Sequence, residues 1–442
     1  MGTIRLYRHQ KVALALMRAE DDFALFMEQG TGKTIPTLIR AGELLMKGKA
    51  HSALVVCPKA VIGSWQRDIE KLSDDPSNAK LKDITVVNYD VVWRRKEYLN
   101  GKWDILILDE SHKIKRHTTR RGKALLQMSL KAKYRYILTG TPINNGHLEN
   151  IWSQFCFLEP DEHREYVYSK IFGGSYYKWL DDYAFLDKYH QPYRYHDVDK
   201  LQRIIEEHSY RVTKEECLDL PDKLPDEVYD IECLEKKRYR ELMRDSTLEE
   251  FDVVATNPLS RMTKLRQLCS GRVVDPYTGE HLTVKCEKEN ALREFLDGWE
   301  KKLVIFCQFT DSIDAVCGVL DGEKVRYAVL DGRTKDKSVW KQFQTDASLQ
   351  VIVCQYESAN AGIDLYAADT MLFYEPTLSS NTLEQAKDRI HRIGQTSKCS
   401  YIHFITTGTI ERAIYHALSG YRDFSKQLFE EYIGEYQRVY RN

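Results

Sequence analysis

The sequence lacks a stretch that could hold the chain in a membrane or direct it into one. It has no run of about 18 apolar residues, which excludes a transmembrane helix. Its first residues contain no apolar core of the kind that a secretion signal requires. We therefore expect a protein that is not secreted and that has no membrane partner.

Paired cysteines are also missing. The ten cysteines are scattered and form no Cys-x-x-Cys pair, so neither a zinc ribbon nor a disulfide framework is indicated. The thirteen histidines form no metal-binding pattern, and the sequence shows no nucleophile–base triad and no nuclease motif. We expect reduced thiols, no structural zinc, and a cytoplasmic or nuclear location.

An excess of charge of one sign is absent as well. The chain has 65 Lys and Arg residues against 66 Asp and Glu residues. Any nucleic-acid site must therefore be a local groove, because no global basic field is present. What the chain has is length, since 442 residues suffice for two or three domains with substantial cores.

Short, near-continuous apolar runs recur in the first 155 residues and again after residue 285. The runs are Ala53–Cys57, Ile84–Val87, Ile105–Leu108 and Tyr136–Thr139, then Leu303–Cys307, Val325–Val329, Val351–Cys354 and Thr370–Tyr374. Amphipathic helical stretches alternate with them. Such runs suit strands that are covered on both faces, so the pattern predicts an α/β protein with two parallel sheets.

Helical patterns dominate between these two regions. We predict helices over 148–158, 177–189, 198–208, 235–244 and 259–269. The segment Asp219–Pro225 has two prolines among charged residues, which favours an extended connector. The predicted organisation is a first lobe at 1–155, a helical insertion with connector at 156–285, and a second lobe at 286–442.

A glycine-rich loop lies between a predicted strand at 23–26 and a helix-compatible stretch. The loop consists of Gly30, Thr31, Gly32, Lys33 and Thr34. In this context, backbone N–H groups at a helix N-terminus surround phosphate oxygens, and glycines allow close approach. The lysine would neutralise the β- and γ-phosphates of ATP, and the Thr34 hydroxyl would ligate Mg²⁺. The loop departs from the long P-loop pattern, which has glycine where Met27 stands.

An acidic pair follows the strand predicted at 105–108. Asp109 and Glu110 stand at its carboxyl end, where ligands bind in open α/β sheets. Asp109 would hold Mg²⁺, and Glu110 would orient or deprotonate the attacking water. The alternative is a solvated strand end that caps the next helix. The phosphate loop favours the chemical interpretation.

A phosphate loop followed by Asp-Glu-x-His resembles the superfamily 2 helicases and translocases. Further segments match that family's motifs in order: Tyr7–Gln10, Cys57–Lys59 with Trp65, Val87–Asp90, and Thr139–Pro142 with Asn144 and Asn145. The string Arg389–Gln395 is similar to the Swi/Snf branch, whose members translocate on duplex DNA. The resemblance covers nearly the whole chain and implies two RecA-like lobes with a helical insertion and connector between them.

The resemblance also implies roles for nucleotide-binding residues. Gln10 would read adenine, and Gln385 would contact nucleotide or the opposite lobe. Arg389 and Arg392 would be arginine fingers that complete the ATP site from the second lobe, and their spacing would place them on one face of a helix. A surface helix with salt bridges to neighbouring acids is the alternative.

Coupling between hydrolysis and lobe movement is implied for three residues of the first lobe, His112, Thr139 and Thr141. In the second lobe, the segment 358–365 corresponds to motif V, where Gly362 would turn towards nucleotide. Its Ala-Asn-x-Gly form is closest to annealing-helicase and fork-remodelling members. Asp364, also expected to take part in coupling, stands where the family commonly has Asn or Thr, so its role is open.

Candidate DNA contacts come from a local basic stretch and from loops that match the family. They are Lys59, Lys115, Arg116, Arg120, Arg121, Gln308 and Thr310. Cations there would bind phosphates without reading sequence, although a charge run is usually a solvated helix face. Tyrosines and tryptophans are plentiful at 163–195. Such aromatic residues more often belong to the hydrophobic core. The alternative is that some of them stack on bases or wedge a DNA junction.

The favoured interpretation is a DNA-dependent ATPase and translocase that uses ATP and Mg²⁺ and acts as a monomer. Its track would be duplex, forked or branched DNA in replication, recombination or repair, in a bacterial or phage-infected cell or in a nucleus. A chromatin-remodelling core is one alternative. A nucleotide-switched DNA-binding scaffold without motor activity is the other.

Overall fold

The computed structural model describes residues 5–143, 146–163, 166–248, 253–274, 279, 281–336, 338–359 and 363–440. The chain divides into two compact units, Met1–Asp219 and Leu220–Asn442. Each unit contains a six-stranded sheet, and the described strand pairs in both sheets are parallel. The predicted fold class, two RecA-like α/β lobes, is confirmed. Among these residues, no helix combines the length and the apolar character needed to cross a bilayer.

The sheet of the first unit has the strand order β10-β1-β5-β4-β2-β3. Its strands are β1 (Asp22–Met27), β2 (Ala53–Cys57), β3 (Thr85–Asn88), β4 (Ile105–Asp109), β5 (Tyr134–Leu138) and β10 (Ser209–Val212). Two antiparallel hairpins accompany it, formed by β6 (Pro160–His163) with β7 (Tyr166–Ser169) and by β8 (Ala184–Leu186) with β9 (Pro192–Tyr195).

Helices surround this sheet. They are α1 (Arg8–Ala19), α2 (Thr34–Met46), α3 (Ile62–Ser73), α4 (Tyr89–Val92), α5 (Lys96–Leu99), α6 (Arg120–Ser129), α7 (Asn150–Leu158), α8 (Tyr176–Tyr183), α9 (Val198–Glu207) and α10 (Lys214–Cys217). Short 3₁₀ helices span Lys59–Val61, Pro76–Asp83 and Ser111–Ile114.

The continuous apolar runs form central strands because both faces of the sheet are covered. In β2, Leu54 and Val56 belong to one buried cluster, whereas Val55 and Cys57 belong to a second cluster on the opposite face. All five residues of β2 are buried. A strand that buries alternate residues in two cores needs apolar side chains at every position.

The region predicted as a separate helical insertion is shared between the two units, and it contains more strand than expected. The helix predicted over 177–189 ends at Tyr183, and the hairpin β8–β9 follows. Asp187 forms the turn of this hairpin by accepting hydrogen bonds from the N–H groups of Tyr189 and Gln191, at 2.8 and 2.9 Å. A short polar side chain that satisfies its own backbone competes with a helix in this way.

The sheet of the second unit has the order β11-β20-β19-β16-β18-β17. Its strands are β11 (Glu227–Ile231), β16 (Leu303–Cys307), β17 (Tyr327–Leu330), β18 (Val351–Gln355), β19 (Thr370–Phe373) and β20 (Ser400–Thr406). Two small antiparallel pairs are β12 (Thr247–Leu248) with β13 (Val253–Val254) and β14 (Arg272–Val274) with β15 (His281–Thr283).

Helices of the second unit pack around that sheet. They are α11 (Lys236–Asp245), α12 (Pro258–Cys269), α13 (Lys288–Leu296), α14 (Thr310–Gly322), α15 (Val339–Thr345), α16 (Tyr356–Ala359), α17 (Ser380–Lys387), α18 (Ile410–Ser419) and α19 (Lys426–Tyr440).

The proline-containing connector joins the two units, since Asp219 ends the first and Leu220 begins the second. Lys223 in the connector pairs with Cys399 in an isolated parallel bridge, so this part is extended. Leu224 N donates to Cys399 O at 2.8 Å. Asp226, just before β11, accepts from Lys387 Nζ at 2.6 Å and lies 3.1 Å from His403 Nε2. Burial acts to raise the pKa of Asp226, but the hydrogen bond with His403 and the Lys387 ammonium hold it below the ordinary range.

Candidate functional site

Four strands of the first unit bring the predicted motifs to one edge of the sheet. The strands β1, β5, β4 and β2 are parallel neighbours, and both Leu25 and Asp109 are in register with Leu138. The glycine-rich loop follows β1, Thr139 follows β5, Asp109 ends β4, and Lys59 lies just beyond β2. Ligand sites of open α/β sheets lie at this carboxyl edge.

The glycine-rich loop turns through two left-handed positions before it enters α2. Gly30 has a φ of 81° and Gly32 a φ of 80°. The Lys33 ammonium donates to the carbonyl oxygens of Met27 and Glu28, at 2.8 and 3.2 Å. The lysine therefore lies across the base of the loop, at the N-terminus of a helix that favours anions.

The first turn of α1 supports this loop from the side. His9 Nε2 lies 2.7 Å from Thr31 O, and Gln10 Nε2 donates to Gly32 O at 3.0 Å. The other end of the Gln10 amide accepts from Tyr7 N at 3.0 Å. Both ends of this side chain are thus engaged within the protein, and adenine reading by Gln10 stays a prediction.

Asp109 is half-buried at the end of β4, and Trp65 orients it. The indole Nε1 of Trp65 donates to Asp109 Oδ2 at 2.8 Å, and Glu110 N donates to Oδ1 at 3.1 Å. Burial and the negative charge of Glu110 raise the pKa of Asp109 to about 6. A cation beside this carboxyl group would oppose both effects.

Glu110 adopts a backbone conformation that non-glycine residues rarely take. Its φ is 54°, and such a conformation costs roughly 1–3 kcal/mol unless the surroundings enforce it. Gln29 Nε2 donates to its Oε1 at 3.1 Å. His112 Nδ1 lies 3.3 Å from Oε2, and the Thr139 hydroxyl donates to Oε2 at 3.4 Å. These contacts aim a carboxylate at the edge of the sheet.

The protonation state of Glu110 suits a base. Burial acts to raise the pKa of Glu110, but the hydrogen bond and charge of His112, together with the charge of Lys33, outweigh it. The result is a pKa below the ordinary range, so Glu110 is ionised at neutral pH.

The three predicted coupling residues lie together beside Glu110. His112 Nδ1 is 3.1 Å from Thr139 Oγ1, and Thr141 N donates to the same oxygen at 3.1 Å. Gly140 lies close to the glycine-rich loop, because a Cβ atom there would come within 3.1 Å of Gln29 N. The turn after β5 therefore contacts both the phosphate loop and the acidic pair.

The donor set at this edge fits Mg²⁺ bound together with phosphate. Asp109 supplies a carboxylate, and Thr34 is the first residue of α2, with no hydrogen-bond partner for its hydroxyl within the described part of the chain. Both are hard oxygen donors, which Mg²⁺ prefers. The described residues contain no group of three or more His, Cys, Asp or Glu side chains able to hold a metal. The ion would therefore depend on nucleotide phosphates for further ligands.

The basic stretch leads into α6, where two arginines rest on aromatic rings. The Arg120 guanidinium lies 5.8 Å from the Trp93 ring, and that of Arg121 lies 5.7 Å from the Tyr89 ring. These cations occupy the first turn of α6, where the helix dipole disfavours positive charge and would favour an anion between them. Tyr89 in turn donates its hydroxyl to Asp109 O at 2.8 Å, which links this helix to the acidic pair.

The remaining predicted DNA contacts of the first unit also lie after strand β2 or β4. Lys59 is exposed at the start of its 3₁₀ helix. Lys115 and Arg116 follow the 3₁₀ helix that contains His112. These side chains and those of α6 therefore come from neighbouring parts of the same unit.

In the second unit, a buried carboxylate fixes the loop that contains Gln308 and Thr310. Glu375 accepts from Gln308 N at 2.7 Å and from the Ser312 hydroxyl. Thr310 is exposed at the start of α14. Glu375 lies two residues beyond the apolar strand β19, and no other feature of the sequence pointed to its role.

The expectation that Arg389 and Arg392 share one face of a helix is wrong. Helix α17 ends at Lys387, and both arginines lie in the turns beyond it. Gln395 Nε2 holds these turns by donating to Ala368 O at 2.8 Å and to Ile390 O at 3.2 Å. These bonds tie the turns after α17 to Ala368, a residue from a distant part of the chain.

Arg392 and Asp364 form an ion pair within the second unit. Arg392 Nη1 also donates to Ile363 O at 3.1 Å. Arg389 is half-buried, and its carbonyl accepts from Leu365 N at 2.9 Å. The two arginines thus both contact the segment predicted as motif V. Gln385 is half-buried on α17, and Gly362 lies outside the described residues.

Two protein-family models match the chain. The SNF2-related domain matches residues 71–272, and the helicase conserved C-terminal domain matches residues 287–394. The chain therefore contains a segment similar to the SNF2-related domain, followed by one similar to the helicase conserved C-terminal domain. The predicted resemblance to the Swi/Snf branch of superfamily 2 is confirmed at this level, whereas the finer likeness to fork-remodelling members stays a prediction.

Among curated proteins, "Chromodomain-helicase-DNA-binding protein 1-like" of Danio rerio is 27% identical over 463 residues, which cover 94% of this chain and 43% of that protein. An "Uncharacterized ATP-dependent helicase" of Mycoplasma pneumoniae is 25% identical, over 93% of this chain and 41% of that protein. This chain therefore spans less than half the length of these relatives. Among solved structures, the Sulfolobus solfataricus SWI2/SNF2 ATPase core in complex with dsDNA is 25% identical, with a TM-score of 0.44, over 97% of this chain and 92% of that chain.

Several residues at the site were missed or incompletely described by sequence reasoning. Trp65 was matched to a motif but assigned no role, and no role was assigned to Gln29, His9 or Tyr89. Each lies next to a predicted motif residue, which is the signal that was available. Met27, where the long phosphate-loop pattern has glycine, is fully buried as the last residue of β1, so the loop begins after it.

Proposed function

We propose that this chain is a motor that hydrolyses ATP in response to DNA and moves along duplex DNA. The observation that carries the proposal is the meeting of a phosphate loop with an ionised Glu110 at one edge of the first sheet. The match of residues 71–272 to the SNF2-related domain supports it, as does similarity to a protein named ATP-dependent helicase.

ATP would bind at the glycine-rich loop of the first unit. Lys33 would leave the carbonyl groups of Met27 and Glu28 and neutralise the phosphates, while the loop N–H groups hold their oxygens. Glu110, held by Gln29 and Thr139, would accept a proton from the attacking water. When bound, Mg²⁺ would be held by Thr34 and Asp109 and would neutralise phosphate charge.

Hydrolysis would also require arginines of the second unit. We assign Arg389 and Arg392 to stabilising the charge that develops on the transferred phosphoryl group. Such arginines contribute roughly 10³–10⁵ in rate. Gln385 is assigned to nucleotide contact, as is Gly362. The ion pair of Arg392 with Asp364 means that this arginine would exchange one anionic partner for another during turnover.

DNA would bind through phosphate contacts of both units. The basic stretch with Arg120 and Arg121, together with Lys59, would bind the backbone without reading sequence. The path from Arg121 through Tyr89 to Asp109 gives DNA a route to the ATP site. His112, Thr139 and Thr141 would transmit the state of the phosphate in the other direction.

The proposed track extends to forked and branched DNA, on the strength of the Ala-Asn-x-Gly form of motif V.

A chromatin-remodelling core is the second candidate. A "Chromodomain-helicase-DNA-binding protein 1-like" is among the similar proteins, as is the "ISWI chromatin-remodeling complex ATPase ISW1" of Saccharomyces cerevisiae, which is 24% identical. Both candidates share the same motor.

ATP turnover with different DNA partners tests the proposal. Rates are measured without DNA and with single-stranded, blunt duplex and forked DNA and nucleosomes, for the wild type, Lys33→Ala and Arg392→Ala. We expect duplex DNA to stimulate ATP turnover by the wild type, and forked DNA to stimulate it more. No DNA should stimulate turnover by Lys33→Ala. Arg392→Ala should bind ATP but no longer turn it over.

The alternatives predict different results in the same experiment. Stimulation by nucleosomes without extra stimulation by forks would favour the remodelling core. Turnover that no DNA stimulates would favour a nucleotide-switched scaffold. Full activity of Arg392→Ala would contradict the assignment of the second unit's arginines.

A further inference from the structure

Large aromatic side chains are exposed on the hairpin β8–β9. Phe185 is 47% exposed, Tyr189 70% and Tyr193 68%. We call these three residues the hairpin aromatics. The rings of Phe185 and Tyr193 adjoin, with centroids 6.5 Å apart. Exposed single apolar side chains are common, but three within nine residues form a patch that calls for a partner.

The hairpin is fixed in place rather than loosely attached. Asp187 N donates to Gln191 O at 2.9 Å, and the Asp187 carboxylate accepts from two N–H groups of the tip. At the base, the Tyr195 hydroxyl bonds to the Glu149 carboxylate, and Leu186 packs against the core of the first unit. Rings held on a short braced hairpin lose little conformational freedom when they bind.

An aromatic stack joins this part of the first unit to the basic stretch. His117, which directly follows Arg116, lies 5.1 Å from the Trp152 ring and 4.5 Å from the Tyr176 ring, centroid to centroid. Tyr176 is the first residue of α8, whose end leads directly into β8. The basic stretch therefore contacts the start of α8, and the hairpin follows from the other end of this eight-residue helix.

Charge around the hairpin aromatics is mixed. Lys188 Nζ lies 5.0 Å from the Tyr189 ring, and Arg194 is exposed beside Tyr193. Asp181 and Asp182 are exposed on α8. Binding here must therefore come mainly from the rings, with the basic stretch of the same unit supplying attraction for phosphates.

We propose that the hairpin aromatics stack on unpaired bases of a DNA strand whose phosphates lie on the basic stretch. Exposed aromatic rings next to a cationic surface are the elements with which proteins bind single strands, because every base offers a ring face to stack on. The inference rests on the proposed DNA-dependent function and adds to it the structure that is recognised, a junction with unpaired bases. A purely duplex substrate offers no such bases.

The test compares binding of labelled DNA by the wild type, the double variant Tyr189→Ala/Tyr193→Ala, and Tyr421→Ala. Tyr421 is 71% exposed in the second unit, so its removal is matched in residue type and exposure. The probes are a fork with single-stranded arms and a blunt duplex of equal length, each at two salt concentrations.

We expect the double variant to bind the fork roughly 30-fold more weakly or worse, because two base stacks are lost, and to bind the duplex as the wild type does. The salt dependence should not change, because no cation is removed. Tyr189→Phe/Tyr193→Phe should restore fork binding, and blunt-duplex-stimulated ATPase should be the same in all variants.

Equal fork binding by the wild type and the double variant would overturn the proposal. The hairpin aromatics would then be a binding surface for a protein partner. Equal losses on fork and duplex would overturn it too, as would a phenylalanine variant that fails to restore binding. Failure of the proposed function is distinguishable, because it would appear as absent DNA stimulation in the wild type.

Discussion

Replacement of Gly32 by alanine tests the geometry of the phosphate loop most sharply. The φ of Gly32 is 80°, and a Cβ atom added there would lie 2.4 Å from Gln10 Nε2. The left-handed conformation costs a non-glycine residue roughly 1–2 kcal/mol. Displacing Gln10 loses its hydrogen bond to Gly32 O, worth roughly 0.5–1.5 kcal/mol. The loop conformation should therefore become about 2–3 kcal/mol less favourable.

That free energy should appear in ATP binding, since the loop must hold phosphate in this conformation. We expect Gly32→Ala to weaken ATP binding by about 30-fold or more, at tenfold per 1.4 kcal/mol. The assay is titration with a fluorescent ATP analogue, with thermal unfolding measured in parallel.

Gly48→Ala is the matched control. Gly48 also has a positive φ, 67°, but no atom lies within 4 Å of an added Cβ. The Gly48→Ala variant should be destabilised by a comparable backbone strain, yet bind ATP as tightly as the wild type. Gln10→Ala should relieve part of the Gly32→Ala defect in the double variant, because the clash disappears. Gly32→Ala that binds ATP as tightly as Gly48→Ala would refute the reasoning.

Three further changes have defined outcomes. Asp364→Asn removes the ion pair that competes with nucleotide for Arg392. Because both side chains are partly exposed, steady-state kinetics should show kcat raised by at most about fivefold. A lower kcat would contradict this competition. Tyr89→Phe deletes the hydrogen bond to Asp109 O and should lower DNA-stimulated turnover about three- to tenfold with ATP affinity retained, whereas equal loss of ATP binding would mean a merely structural role. Asp226→Asn should lower the urea midpoint at pH 7, because a carboxyl group with a lowered pKa stabilises the fold above about pH 4 and loses that effect as the pH falls; a gap between the two proteins that does not shrink as the pH is lowered from 4 would contradict this.

The sheets were predictable because their signal is local. Each central strand is a run of apolar residues, and a motif residue directly follows the run, as Asp109 follows Ile105–Leu108. Parallel strands then bring such residues to a common edge. The phosphate loop and the acidic pair could therefore be placed together from the sequence.

What the sequence could not predict depends on tertiary contacts. Helix α17 ends at Lys387, and Gln395 bonds the turns beyond it to the distant carbonyl group of Ala368. The pairing of Arg392 with Asp364 joins residues from separate elements. The left-handed backbone of Glu110 reflects its surroundings, because nothing in its residue type favours it.

The central claim is that ATP hydrolysis drives movement along duplex DNA, and displacement of a third strand from a duplex measures that movement directly. The wild type should displace the third strand only with ATP and Mg²⁺, and Glu110→Gln should bind ATP and duplex without displacing it. Absence of displacement by a wild type that hydrolyses ATP, or displacement by Glu110→Gln, would contradict the account.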